Sequence, residues 1–301
     1  MDKLRLFLPT KEGGMLPRWV FEELLTSRKP ITTPKGWKIY RYIDYSMGVH
    51  VTCLPAGIAV ECNPTSFVVG NNAHQIDRQG LVLFEQALSE RYQPLIPFAG
   101  WRVTLFDFNA DIQTDHTPAT YFPHLVRLKN YEPRPYEGGV NFSTSNKAIT
   151  LYDWNLHATT EEEKENKIRV EASFNGGLPQ IKSIRNMSTL NDYTKPKNYA
   201  KLPQLWLELF EQIEKRQAPV MMPELTHKEV LILADVERFT LAGLKNKMKV
   251  DNPNNYRRQF AKVVALLDRV QECSKQHSIF NPTDELTSKV RAKANELILS
   301  V

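Results

Sequence analysis

Cysteine is scarce: three in 301 residues (Cys53, Cys62 and Cys273), with no Cys-x-x-Cys spacing. That leaves little material for a disulfide framework or a cysteine-built zinc site. The seven histidines are scattered, without a His-x-His pair or an HExxH helix, so zinc proteolysis loses support. Walker A, GxGxxG and GxSxG patterns are missing too, which argues against nucleotide hydrolysis, dehydrogenation and serine hydrolysis. No apolar run approaches the ~18–20 residues of a membrane helix. The apolar stretch in Met1–Pro9 is too short for a signal peptide and reads as a first strand, so the expected location is cytoplasmic with no membrane partner. Neither an internal repeat nor a low-complexity tract is found.

What is present is an ordinary globular composition, 42% hydrophobic and 24% charged, enough for a sizeable core in one large domain or in one domain plus a smaller appendage. The net charge of +5 is unevenly placed. Residues 1–194 balance 21 cations against 21 acids, whereas residues 195–301 hold 18 against 13. Between Arg238 and Lys262 seven cations face a single acid, Asp251. Such a cluster suits a polyanion through counterion release, and a solvated helical face explains it equally well.

Strand patterns dominate the first 180 residues: Leu4–Leu8, Trp37–Ile43, Gly48–Leu54, residues 58–63, Trp101–Ala110, Ala148–Trp154 and Ile168–Phe174. The last alternates most cleanly, with Ile168, Val170, Ala172 and Phe174 inward and Arg169, Glu171 and Ser173 outward. A helix over Leu81–Tyr92, capped near Asp77, interrupts them, and residues 118–130 read as helix or loop. Residues 178–201, rich in Pro, Ser, Asn and Lys, read as a linker or long loop. Beyond Pro203 the spacing is helical: 205–215, 226–236, 240–250, 255–273 and 284–299. The expected architecture is α+β: a mainly antiparallel sheet with helices on one face over residues 1–180, a linker at 181–202, and a helical DNA-binding or accessory domain at 203–301.

Four of these strands carry Glu61, Asp107, Tyr152 and Glu171 opposite their apolar stripes. If they share one sheet the four groups converge, with Asp111 as an alternative to Asp107. Two or three carboxylates suit Mg²⁺ or Mn²⁺, which keep waters and take substrate phosphates as further ligands. A phenol, with a pKa of ~10, is almost wholly protonated at neutral pH and needs such an ion, plus a route for its proton, to attack a phosphodiester. The plain alternative is the solvated outer face of a half-buried sheet.

In order and spacing, four motifs resemble the replication initiator family of filamentous phages and related plasmids (the gene II/X proteins). They are Val60-Glu61-Cys62-Asn63-Pro64 followed by Val69-Gly70-Asn71-Asn72, Val103-Thr104-Leu105-Phe106-Asp107, Ala148-Ile149-Thr150-Leu151-Tyr152-Asp153, and Ile168-Arg169-Val170-Glu171, together spanning about residues 48–178. The resemblance implies that Tyr152 is the nicking nucleophile and that Asp107 and Glu171, with Glu61 as a third, hold Mg²⁺ or Mn²⁺. It also implies that Asn71 and Asn72 lie at the DNA. Two positions depart from the pattern: Leu105 stands where an arginine precedes the aspartate, and Trp154 where a lysine follows the tyrosine. Lys147 or Arg169 is the candidate replacement cation. The implied reaction is rolling-circle initiation on single- and double-stranded origin DNA, leaving a 3′-OH and a 5′-phosphotyrosyl enzyme, with a host helicase and polymerase as partners. The segments Leu241–Lys249 and Asn255–Leu267 are spaced like a helix-turn-helix, with Lys245, Lys247, Arg257, Arg258 and Lys262 as candidate phosphate contacts. Two other readings are a DNA-binding regulator with an inert nicking fold and a mobilisation relaxase, the second disfavoured by the lack of a His-rich motif.

Overall fold

The structure is a computed structural model that describes residues 3–9, 25–70, 76–92, 100–129, 131–157, 165–216, 225–276 and 281–300. The chain opens with β1 (Leu4–Pro9), β2 (Thr26–Thr32), β3 (Lys38–Asp44), β4 (Val49–Leu54) and β5 (Gly57–Cys62). Two helices follow, α1 (Pro64–Val69) and α2 (Arg78–Arg91), then β6 (Arg102–Gln113), β7 (Leu125–Leu128), β8 (Arg134–Tyr136), β9 (Gly139–Ser143), β10 (Lys147–Asp153) and β11 (Lys167–Asn175). Short helices α3 (Leu190–Thr194) and α4 (Pro196–Tyr199) lead to α5 (Lys201–Glu211) and β12 (Ile213–Lys215). Three long helices close the described chain: α6 (His227–Asp251), α7 (Tyr256–Gln276) and α8 (Pro282–Leu299).

The fold is α+β. Ten strands form one antiparallel sheet in the order β2-β3-β4-β5-β1-β6-β11-β10-β9-β8, and β12 pairs with β7 separately. Period-two alternation decides which side meets the helices. Ile168, Val170, Ala172 and Phe174 of β11 join Phe106, Phe108 and Ala110 of β6 on one face, all fully or almost fully buried. Against that face pack Leu81, Phe84 and Leu88 of α2, Leu202, Leu205 and Trp206 of α5, and Leu286, Val290 and Ala294 of α8. Phe106 stacks on Phe174 at 4.9 Å, and the Trp206 indole donates to the Val170 carbonyl at 3.0 Å. Each such aromatic, fully buried, contributes about 1.5–3 kcal/mol.

Asp77 caps α2 by accepting from the Gly80 amide at 2.7 Å, which explains where that helix starts. α1 is a six-residue helix that Asn63 caps and a left-handed Gly70 terminates. Residues 118–128 form two 3-10 turns and β7.

The stretch expected at 181–202 as a linker or long loop is no free spacer: it is turns and short helices packed on the core. Ile184, Met187, Leu190, Tyr193, Tyr199 and Leu202 are all buried in the main core. Their polar neighbours face outward or cap, as Asp192 does by accepting from the Ser188 and Thr189 amides. The expected helical unit at 203–301 divides as well. Helices α5 and α8 belong to the sheet's core, while α6 and α7 pair around their own small clusters, Leu233, Leu266 and Val270, and Val236, Leu244 and Val263. The two helices expected at 226–236 and 240–250 are present within α6 and meet at Thr240, whose backbone is non-helical (φ 59°, ψ 163°) and whose hydroxyl accepts from the Gly243 amide at 3.2 Å to start the second. Among the described residues no helix is long and apolar enough to cross a membrane.

Candidate active site and nucleic-acid surfaces

The face of the sheet turned away from the helices is polar at its centre. Strand register sets its layout: Tyr152 of β10 lies opposite Arg169 of β11, and Arg169 lies opposite Asp111 of β6. The next row is Asn141, Thr150, Glu171 and Asn109, and beyond it Asp107 stands opposite Ser173. Arg169 donates to Asp111 through both Nε (2.7 Å) and Nη2 (3.0 Å), a fork that fixes the guanidinium plane between the tyrosine strand and β6. Asn141 donates to the Thr150 hydroxyl at 2.7 Å.

This polar patch is largely removed from water: Asn109 is 1% exposed, Arg169 3%, Asp107 6% and Tyr152 7%. Tyr152 is itself buried but does not join the main hydrophobic cluster on the helix side. Its ring lies 5.6 Å from that of Tyr136, tilted at 45°, and Tyr136 is 44% exposed on β8, the last strand of the sheet. Gly139, opposite Tyr152 on β9, leaves no room for a side chain, since an added Cβ would stand 2.7 Å from the Tyr152 Cα.

Of the residues singled out from the sequence, Tyr152, Arg169, Asp107 and Glu171 therefore share one face on three adjacent strands, with Asp111 beside them. Two others are corrections. Glu61 is on the same side of the sheet but two strands away from β6, on β5. Its carboxylate is held by Lys3 Nζ at 2.9 Å and Arg5 Nε at 2.8 Å; burial alone would raise its pKa, but these cations pull it below the usual carboxylate value. It is a neutralised ion-pair member and does not join Asp107 and Glu171. Lys147 begins β10 with the parity of Ile149 and Leu151, so it emerges on the helix side, beside Leu205, Glu208 and Leu209 of α5. It cannot serve Tyr152 from there. Asn71 and Asn72 lie outside the described residues. Sequence reasoning missed Asn109 and the Arg169–Asp111 fork, although the alternation of β6 already put Asn109 on the Asp107 face. Among the described residues no three His, Cys, Asp or Glu side chains gather into a metal-holding group.

A second polar surface lies on α6 and α7. Lys245, Lys247, Arg257, Arg258 and Lys262 are all exposed, and among the described residues none of the five is paired with a carboxylate. Lys247 lies 4.4 Å from the Phe239 ring centre and Lys245 5.3 Å from that of Phe260. Arg257 Nε donates to the Tyr256 hydroxyl at 3.3 Å and, with the charges of Lys249 and Lys245, holds that phenol below its usual pKa. A cleft of about 660 Å³ runs between this helix pair and the β7–β12 ribbon, with Lys245, Lys249, Tyr256 and Phe260 on its wall.

No protein-family model and no curated protein matches the chain. Among solved structures it is similar to the rolling circle replication initiator protein from Geobacillus stearothermophilus, at 16% identity and a TM-score of 0.38, over 79% of this chain and 95% of that one. A likeness at this level assigns no residue a role.

Proposed function

We propose that the chain is a rolling-circle replication initiator that nicks one strand of its origin through Tyr152. The observation that carries this reading is the row Tyr152–Arg169–Asp111, with Asp107 and Glu171 on the same face and, among the described residues, the main hydrophobic cluster on the other. In the reaction the Tyr152 oxygen attacks phosphorus, the bond from phosphorus to the 3′ oxygen breaks, and that oxygen takes a proton to become the 3′-OH. The 5′ phosphate remains esterified to Tyr152, conserving the bond energy for rejoining. Arg169, locked by Asp111, places a positive charge one strand from the nucleophile, where negative charge develops on the phosphate oxygens. Asp107 and Glu171 sit on paired strands two register positions apart and supply oxygen donors only, a set that fits Mg²⁺ or Mn²⁺ bound through one or two carboxylates and completed by water and substrate phosphate. Such an ion would polarise the phosphate and ease loss of the phenolic proton. For a strand to reach Tyr152, Tyr136 must move off it. The basic surface of α6 and α7 would hold the duplex part of the origin through its phosphates.

The test uses labelled single-stranded oligonucleotides tiled across the replicon that encodes the chain, incubated with Mn²⁺ and resolved by denaturing electrophoresis. A covalent adduct mapping to the Tyr152 peptide, lost in Tyr152→Phe and on chelation with EDTA while DNA binding persists, is the expected result. An adduct on another residue, or full adduct yield from Tyr152→Phe, refutes it. The second reading, a DNA-binding regulator on an inert nicking fold, draws on the 7% exposure of Tyr152 and the lack of a three-carboxylate group among the described residues. Binding without any adduct or nick across the whole tiling favours that one.

A further inference from the structure

The strands farthest from the active row carry a charge pattern with no counterpart elsewhere in the sheet. Residues 26–43 contain five cations, Arg28, Lys29, Lys35, Lys38 and Arg41, and no acid. They build the β2–β3 ribbon, whose tip is set by Gly36 (φ 78°) and by the Thr33 hydroxyl accepting from the Trp37 amide at 3.1 Å. Every residue of β2 is exposed, as are all five cations, and at the tip Trp37 is 55% exposed. Among the described residues none of the five is paired with a carboxylate, and Arg28 stands directly opposite Arg41 in the register. Like charges across strands repel and destabilise the pair.

Edge protection is the plain explanation for a Lys-Pro pair on an outermost strand. It covers Lys29 and Pro30 of β2. It does not cover Lys38 and Arg41, because β3 is paired on both sides, nor an exposed tryptophan at the tip. A bound polyanion covers all of them. Arg28 and Arg41 also open onto a groove of about 380 Å³ that includes Arg5 and His50 and lies on the same sheet face as Tyr152.

We propose that the β2–β3 ribbon is a second DNA contact, which enters the major groove of the duplex flanking the strand delivered to Tyr152. The inference rests on the nicking reading only for where that duplex begins. A two-stranded ribbon fits a major groove about 12 Å wide. Seven residues of β2 extend roughly 23 Å, about two-thirds of a helical turn. Six strand intervals separate β3 from β10, on the order of 29 Å at the usual spacing, so the contacted groove lies about eight or nine base pairs from the nick.

The experiment compares the full chain with the triple variant Lys29→Gln, Lys35→Gln, Lys38→Gln. The probes are a labelled random-sequence 30-base-pair duplex and a single strand of equal length, titrated between 50 and 200 mM salt. Each phosphate contact removed should flatten the dependence of log affinity on log salt by about 0.9, so the duplex slope should drop by about 2–3 while single-strand affinity stays within about twofold. An unchanged duplex slope overturns the proposal, and so does an equal loss for duplex and single strand. Lysine acetylation of the unsubstituted chain gives a check free of folding effects: duplex should protect Lys29, Lys35 and Lys38, and absence of protection overturns the proposal. Should the wild type form no covalent adduct but the variant still lose duplex affinity selectively, the ribbon inference stands and the nicking reading falls.

Discussion

The Arg169–Asp111 fork separates function from packing in one double-mutant cycle. Arg169 is 3% exposed, whereas the Asp111 side chain keeps 23% of its surface in water. Asp111→Asn therefore takes the charged partner of this fork away from a buried guanidinium, and the loss should reach about 3–5 kcal/mol. Arg169→Gln leaves an aspartate that water can still reach, so its cost should be smaller, about 2 kcal/mol. The double variant Arg169→Met, Asp111→Leu removes both charges and fills the space with apolar atoms, which should return stability to within about 1 kcal/mol of wild type. Urea midpoints at constant m give these numbers. Adduct formation should follow a different order. Loss of the cation beside the nucleophile should slow single-turnover adduct formation about 10²–10³-fold, and the stable double variant should stay that slow. If the double variant nicks within a few-fold of wild type, the fork is a packing device and Arg169 has no part in the chemistry.

The remaining expectations concern access, DNA affinity and pH. The contact of Tyr136 with Tyr152 should hold the edge closed by about 0.5–1.5 kcal/mol, so Tyr136→Ala should speed adduct formation on single-stranded DNA by about two- to tenfold, and an unchanged rate would show that Tyr136 does not gate the site. Replacing Arg257, Arg258 and Lys262 together by Gln should lower duplex affinity and flatten its salt slope by about 2–3, read by anisotropy, because all three are exposed cations without a carboxylate partner among the described residues. Asp192 is lowered to about 2: burial opposes the shift, and hydrogen bonds from Lys195, Thr189 and Ser188 outweigh it. Because the folded value lies below the unfolded 3.8, its stabilisation is complete above about pH 4 and disappears as pH falls toward 2; melting curves of Asp192→Asn should lose that part of the acid sensitivity.

The sequence is most readable where one physical rule acts alone. β5, β11, β6 from Phe106 onward and most of β10 alternate in polarity because one face meets the helices, so their inward and outward residues could be assigned without a structure. Reading failed where two rules competed. In 181–202 the Pro, Asn and Lys content signals a linker, yet widely spaced apolar residues from Ile184 to Leu202 bury into the core while the polar ones cap and turn. Lys147 stands just outside the expected strand Ala148–Trp154, yet its place two residues ahead of Ile149 puts it on the helix side by parity alone. Glu61 has the right parity, but alternation says nothing about strand order, and β1 intervenes with Arg5 and, at its start, Lys3. The β2–β3 ribbon escaped notice because its cations vanish into a balanced total for residues 1–194. Charge counted over a domain hides charge concentrated on one hairpin.

The polar centre of the sheet face also has to be explained as an energetic fact. A face fully open to water can hold acids and arginine at little cost, but Asp107, Asn109 and Arg169 are 6% exposed or less. Withdrawing an ion from water costs several kcal/mol, and the Arg169–Asp111 fork offsets that cost for those two groups. Valine, isoleucine and leucine at these positions, as on the opposite face, would serve packing better. Retaining ionic groups at the centre of a sheet, aligned in register with a tyrosine, is costly for a scaffold and useful for a site that must meet a charged substrate once water is displaced.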